Sequence, residues 1–109
     1  MNPTADSTVQ TKADVLRVVY EHRDGIRALG VERIGLFGSF VREEQHPKSD
    51  VDVLVAFREG EATFDHFMDL CFLLEDALGR KVEVVTEKYL SPYIGPHILR
   101  EVEYVSLDG

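Results

Sequence analysis

Gly38 and Ser39, residues that favour a sharp turn, are followed after ten residues by Asp50-Val51-Asp52, which heads the apolar run Val53-Leu54-Val55-Ala56-Phe57. Burial alone would place no carboxylate there. Residues two apart on a strand share a face, so Asp50 and Asp52 project together while Val51, Val53 and Val55 point the other way. Two parallel carboxylates suit a hard cation such as Mg2+, which takes oxygen ligands and combines one or two protein carboxylates with water and substrate phosphates. A bare Asp-x-Asp also fits a solvated strand entrance, and the Gly-Ser upstream weighs for a site. Glycine lets the backbone approach a ligand closely, and a serine opening a helix offers a hydroxyl and an N–H where helix ends attract anions. A triphosphate could rest on that turn while its metal ions reach the aspartates. Glu83, set among Val82, Val84 and Val85, is a third acid in an apolar strand. Alone it reads first as an outward-facing position, and the Gly-Ser and Asp-x-Asp pattern turns the balance toward a site. Beside the Val51–Phe57 strand it would stand near Asp50 and Asp52, and three such carboxylates repel and raise one another's pKa unless a cation neutralises them.

The elements that must hold these residues alternate between helix and strand. Thr11 to Leu29 reads as one amphipathic helix, with Thr11 as N-cap, Asp14 at the capping-box distance and Gly30 as its end. Arg33–Phe37 is a short strand, Phe40–Glu44 a brief helix and Val51–Phe57 a second strand. Thr63 caps a long helix whose Phe64, Phe67, Met68, Cys71, Leu74 and Leu78 fall at helical spacing, ending at Gly79. Lys81–Thr86 is a third strand, Pro92–Arg100 a short helix with Pro92 in its first turn, and Val102–Leu107 a weaker last segment. The fold class is α/β, a mixed sheet of three or four strands with helices packed on it.

A chain of 109 residues with 44% hydrophobic and 29% charged side chains is one globular domain, expected over 11–109. Residues 1–10 read as a disordered N-terminal tail, and the absence of a signal-like or membrane-length apolar stretch points to a cytoplasmic protein with no membrane partner. A net charge of −8 argues against direct binding of a nucleic-acid backbone and suits a partner with a basic surface. The lone cysteine, Cys71, excludes an internal disulfide and reads as a buried small hydrophobe. His22, His46, His66 and His97 have no zinc-ligand spacing and read as surface or helix residues. Tyr89, Leu90, Tyr93 and Ile94 read first as core and second as a partner surface.

Gly35-Leu36-Phe37-Gly38-Ser39-Phe40-Val41-Arg42-Glu43-Glu44 followed by Ser49-Asp50-Val51-Asp52-Val53-Leu54-Val55 resembles the nucleotidyltransferase superfamily related to DNA polymerase beta. The signature of that superfamily is Gly-Ser, ten residues, then Asp-x-Asp. Within it the chain is similar to the minimal nucleotidyltransferases, small antitoxin partners of HEPN-domain toxins, from about Thr11 to Leu107. That stretch includes Gly79-Arg80-Lys81-Val82-Glu83-Val84-Val85 and Ile98-Leu99-Arg100-Glu101. The resemblance implies catalytic and metal-binding roles for Asp50, Asp52 and Glu83, and nucleotide binding by Gly38, Ser39 and Arg42. It implies transfer of a nucleoside monophosphate, AMP from ATP, to a hydroxyl with two Mg2+ ions bound alongside the nucleotide. Such ions sit about 3.5–4 Å apart and stabilise the attacking and leaving oxygens. Arg42 reads either as a triphosphate contact or as a surface ion pair with Glu43 or Glu44. Glu83 departs from the commoner Asp, and Glu43 stands where minimal members often carry Gly.

The leading expectation is an adenylyltransferase that modifies a tyrosine on a cognate HEPN toxin and acts as its antitoxin. A second is a binding module that neutralises the partner by contact, with catalysis weakened at Glu83 and Glu43. A third is nucleotidyl transfer to a small molecule. The partners implied are a HEPN toxin and a nucleoside triphosphate, with homo- and hetero-oligomers both open.

Overall fold

Thr11 opens the first helix by closing a capping box: its hydroxyl accepts the Asp14 N–H at 3.1 Å and the Asp14 carboxylate accepts the Thr11 N–H at 3.2 Å. In the computed structural model, which describes residues 9–108, the single helix expected to reach Leu29 is two: α1, Lys12–Glu21, and α2, Arg23–Ala28. The break falls at His22, where φ is −102° and ψ 14°, and the imidazole Nδ1 lies 2.9 Å from the Val18 carbonyl oxygen. A side chain held against its own turn competes with the helical ladder in this way.

Strand β1, Val31–Phe37, leads through Gly38 into the one-turn helix α3, Ser39–Arg42; β2, Val51–Phe57, follows. Helix α4, Phe64–Leu78, is capped by the Thr63 hydroxyl and stopped by Gly79 in the left-handed conformation. Then come β3, Val82–Thr86, a 3-10 turn over Glu87–Tyr89, α5, Gly95–Glu101, and β4, Glu103–Val105. Pro96 rather than Pro92 sits in the first turn of α5, where its missing N–H leaves no bond unmade.

The sheet is mixed and four-stranded in the order β3-β2-β1-β4, with β2 antiparallel to β1 and parallel to β3. Alternation along the strands divides the apolar residues between two faces. Ile34, Leu36, Val51, Val53, Val55 and Val82 pack with α1 and α4 in the main core. Phe37 and Leu54 point the other way, into a smaller cluster with Ile98, Leu90, Val85 and Val102. Asp52 and Leu54 share this second face.

Leu70, Leu74 and Leu78 form the buried row of α4, whereas Phe64 is 76% exposed and Phe67, Met68 and Cys71 are half-buried. The stripe expected to begin at Phe64 is therefore rotated toward Leu70, with the first turn left in solvent. Cys71 is less enclosed than expected, and burial still pushes its thiol up, away from the reactive thiolate. The core reading of the C-terminal apolar residues is corrected. Leu90 packs in the smaller cluster, but Tyr89, Tyr93 and Ile94 are exposed.

Residues 1–8 of the tail expected at the N-terminus lie outside the described residues. Val9 is buried, and its N–H donates to the Leu78 carbonyl at 3.0 Å. Among the described residues no helix is long and apolar enough to cross a membrane.

Candidate active site

Register brings the chemistry together. Phe37, the last residue of β1, pairs with Asp52, and Asp52 in turn lies beside Glu83 across the parallel β2–β3 pair. The turn after Phe37 therefore folds back over Asp52. Gly38 has φ +79° and ψ −152°, and a Cβ built there would collide with Asp52 Oδ2. Glycine is required on both counts, because a side chain would be strained in that conformation and would fill the space the carboxylate needs. Ser39 follows as the first residue of α3. With only one turn, α3 offers the free N–H groups of a helix start rather than a sizeable dipole.

Asp52 is half-buried and its carboxyl is pushed up to about 7. Burial is the largest cause; a hydrogen bond and charge repulsion with Glu83 come next, then the charge of Asp50, with Arg42 pulling the other way. Glu83 and Asp50 are exposed. Asp50 stands one residue ahead of β2, whose bounds are those expected from the sequence. Among the described residues no three His, Cys, Asp or Glu side chains are gathered into a ready-made metal site. The donor set nonetheless fits a hard cation: all three groups are carboxylates, and the raised pKa of Asp52, from burial first and then from Glu83 and Asp50, reflects a cost of ionisation that a cation would relieve. Mg2+ in such sites completes its shell with water and substrate phosphates.

Arg42 forms ion pairs, one of the two readings open from the sequence. Its Nε donates to Glu44 at 2.9 Å and its guanidinium spans both oxygens of Glu101 at 3.0 and 3.1 Å, which raises its pKa. Glu43 takes no part in that pairing. It ends α3 with φ 57°, in the left-handed region that favours glycine.

Two residues at the site lie in stretches that carry the resemblance but are given no role from the sequence. Glu101 Oε2 accepts the Gly38 N–H at 2.6 Å, and buried Ile98 three residues earlier fixes the helix face that makes this contact. Arg80 donates to Val9 O at 2.7 Å, Pro47 O at 2.9 Å and Ser49 O at 3.1 Å, tying the loop before Asp50 to the start of β3. Its guanidinium lies 5.3 Å from the Phe40 ring centre. Acid three residues from a buried isoleucine was the available signal for Glu101; nothing local marks Arg80.

The family described as Nucleotidyltransferase domain matches residues 19–105. The protein adenylyltransferase MntA of Thermococcus cleftensis is 38% identical over 96 residues, covering 87% of this chain and 96% of its own length. A solved structure assigned as a minimal nucleotidyltransferase superposes with a TM-score of 0.67 at 35% identity, over 81% of this chain and 93% of its own. A structure of an MNT antitoxin with the tri-AMPylated HEPN toxin of Shewanella oneidensis shares the fold at a TM-score of 0.59 and 18% identity, over 86% and 72% of the two chains. With Gly38, Asp52 and Glu83 assembled as described, the chain belongs to the nucleotidyltransferase domain family and has the α/β fold of its minimal members.

Proposed function

We propose that this protein is a Mg2+-dependent protein adenylyltransferase of the cytoplasm that transfers AMP from ATP to a tyrosine hydroxyl of a HEPN toxin and so acts as its antitoxin. One observation carries the reading: the Gly38 turn, Asp52 and Glu83 meet at one end of the sheet, with the glycine backbone against the aspartate and the second acid alongside. In the transfer, the turn at Gly38 and Ser39 holds the phosphates that leave as pyrophosphate, and Asp50 and Asp52, with Glu83, would hold the metal. Mg2+ in this setting supplies charge stabilisation of the attacking and leaving oxygens. In this reading Glu83 accepts the acceptor hydroxyl's proton once that hydroxyl comes within hydrogen-bond reach. No nucleophilic side chain on this chain is needed.

The acceptor arrives on a partner. Asp50 and Glu83 lie open to solvent, so a second surface must close over them to exclude water. Tyr93, Ile94 and Leu99 are exposed on the segment that covers the same face of the sheet, and form apolar surface for that partner. The relatives named as protein adenylyltransferases and the AMPylated HEPN toxin bound to its MNT antitoxin support the same reading.

Intact-mass spectrometry of a HEPN partner incubated with this protein, Mg2+ and each nucleoside triphosphate tests it. An AMP adduct on a tyrosine, absent with the Asp50→Asn/Asp52→Asn variant, is the expected result. A stable complex with no adduct from any nucleotide would favour neutralisation by contact. Adducts on a small hydroxyl compound but never on protein would favour the third reading.

A further inference from the structure

One carboxylate, far along the chain, reaches into the Gly-Ser turn without being one of the expected site acids. Glu101 makes three contacts at the end of α5: the Gly38 N–H at 2.6 Å and the Arg42 guanidinium at 3.0 and 3.1 Å. We propose that Glu101 is a positioning residue of the transfer site, holding the Gly38 peptide and the Arg42 guanidinium in the orientation in which the turn receives the phosphates of a nucleoside triphosphate. The inference rests on the transferase reading above.

Gly38 is where the turn needs such a hold. Glycine populates both signs of φ, so nothing in its own geometry prevents the peptide from swinging away from φ +79°. A short bond from a carboxylate acceptor to the backbone N–H is among the stronger hydrogen bonds and fixes the Phe37–Gly38 peptide plane, against which the φ of Gly38 is set. The hold is itself anchored. Glu101 belongs to α5, whose Ile98 is buried with Phe37 and Leu54, so the carboxylate is carried by the same small cluster that underlies Asp52. Its side chain is only 27% exposed, which limits screening by solvent. Arg42 enters the same arrangement. Its charge already acts on Asp52, lowering that carboxyl's pKa against the acids that raise it. Clamped between Glu44 and Glu101, the guanidinium is kept beside the turn, and it offsets the charge of the carboxylate that an incoming phosphate would otherwise meet. Sequence separation makes the contact tertiary: Gly38 and Glu101 are 63 residues apart.

The test compares wild type with Glu101→Ala, Glu101→Gln and Glu101→Asp, measuring AMP transfer to a HEPN partner as a function of Mg·ATP, with melting temperature and amide hydrogen exchange at Gly38 and Ser39. Loss of the contact in E101A should raise KM for ATP about ten- to a hundredfold, the equivalent of one hydrogen bond to a charged group, with a smaller change in kcat. Exchange at the turn should rise with it. E101Q keeps an oxygen that accepts the Gly38 N–H but loses the charge and the ion pair with Arg42, and should recover part of the affinity. E101D keeps the charge, is shorter by a methylene and should not. If E101A fails to fold, the contrast between Gln and Asp carries the test. Unchanged or lowered KM in a folded E101A, or Gln faring no better than Asp, overturns the positioning role while leaving the transferase reading intact. A wild type that transfers nothing overturns both, and that failure is read in the unmutated protein.

Discussion

Asp52 carries an unfavourable arrangement that the rest of the fold tolerates. Its ordinary pKa of 3.8 is pushed to about 7 by burial and by Glu83 and Asp50, so folding favours its protonated form. Between those two values the folded chain binds a proton that the unfolded chain has released, and stability therefore falls as pH rises from about 4 through about 7. Asp52→Asn removes that ionisation. The melting temperature of the variant should exceed that of wild type by more at pH 8 than at pH 5 without metal, and millimolar Mg2+ with nucleotide should narrow the gap at pH 8. A constant difference across pH would mean that the carboxyl is not held protonated. Glu43 is the other strained residue, with φ 57° at the end of α3. Glu43→Gly relieves a left-handed conformation worth roughly 1–2 kcal/mol, against a loss of about 0.4–1 kcal/mol from the freer unfolded chain. The expected outcome is a net gain of up to about 1.5 kcal/mol in urea unfolding.

At the scale of elements, α4 separates burial from mere apolar character. Leu74 is 1% exposed and lies in the main core, while Phe64 on the first turn is 76% exposed. Leu74→Ala should lose about 2–5 kcal/mol through the lost transfer energy and the cavity left behind. Phe64→Ala should change stability by less than about 0.5 kcal/mol. Equal losses in chemical denaturation would show that the first turn of α4 is packed in solution. The periodicity of this helix was legible in the sequence. Its rotation was not, because Phe64, Phe67 and Leu70 all suit a buried stripe and only the position of the sheet beneath decides which of them it covers. The first helix shows the same limit, since its apolar spacing continues through His22 while the backbone breaks there.

Across the whole molecule, Arg80 joins parts that are distant in sequence. It holds carbonyls of Val9, Pro47 and Ser49 and so fixes the loop that delivers Asp50. Arg80→Ala leaves those carbonyls without their donor and should destabilise the fold by about 1.5–3 kcal/mol, the range for hydrogen bonds to a charged group. Amide exchange over residues 46–50 should accelerate more than exchange in β2. Uniform acceleration would mean that Arg80 supports the fold generally rather than that loop.

Local chemistry is what the sequence determined by itself. Thr11 and Thr63 cap helices, Gly79 ends one, the valines of β2 alternate with Asp52, and the Gly-Ser and Asp-x-Asp spacing marks the candidate site, because each depends on neighbours a few residues away. Parallel pairing of β2 with β3 was one arrangement among several until the sheet formed, and it alone sets Glu83 beside Asp52. Glu101 on Gly38 and Arg80 under the loop lie further still from anything local pattern could reveal. Such contacts arise when elements separated by tens of residues are stacked on one sheet, and only the tertiary structure decides which side chains then meet.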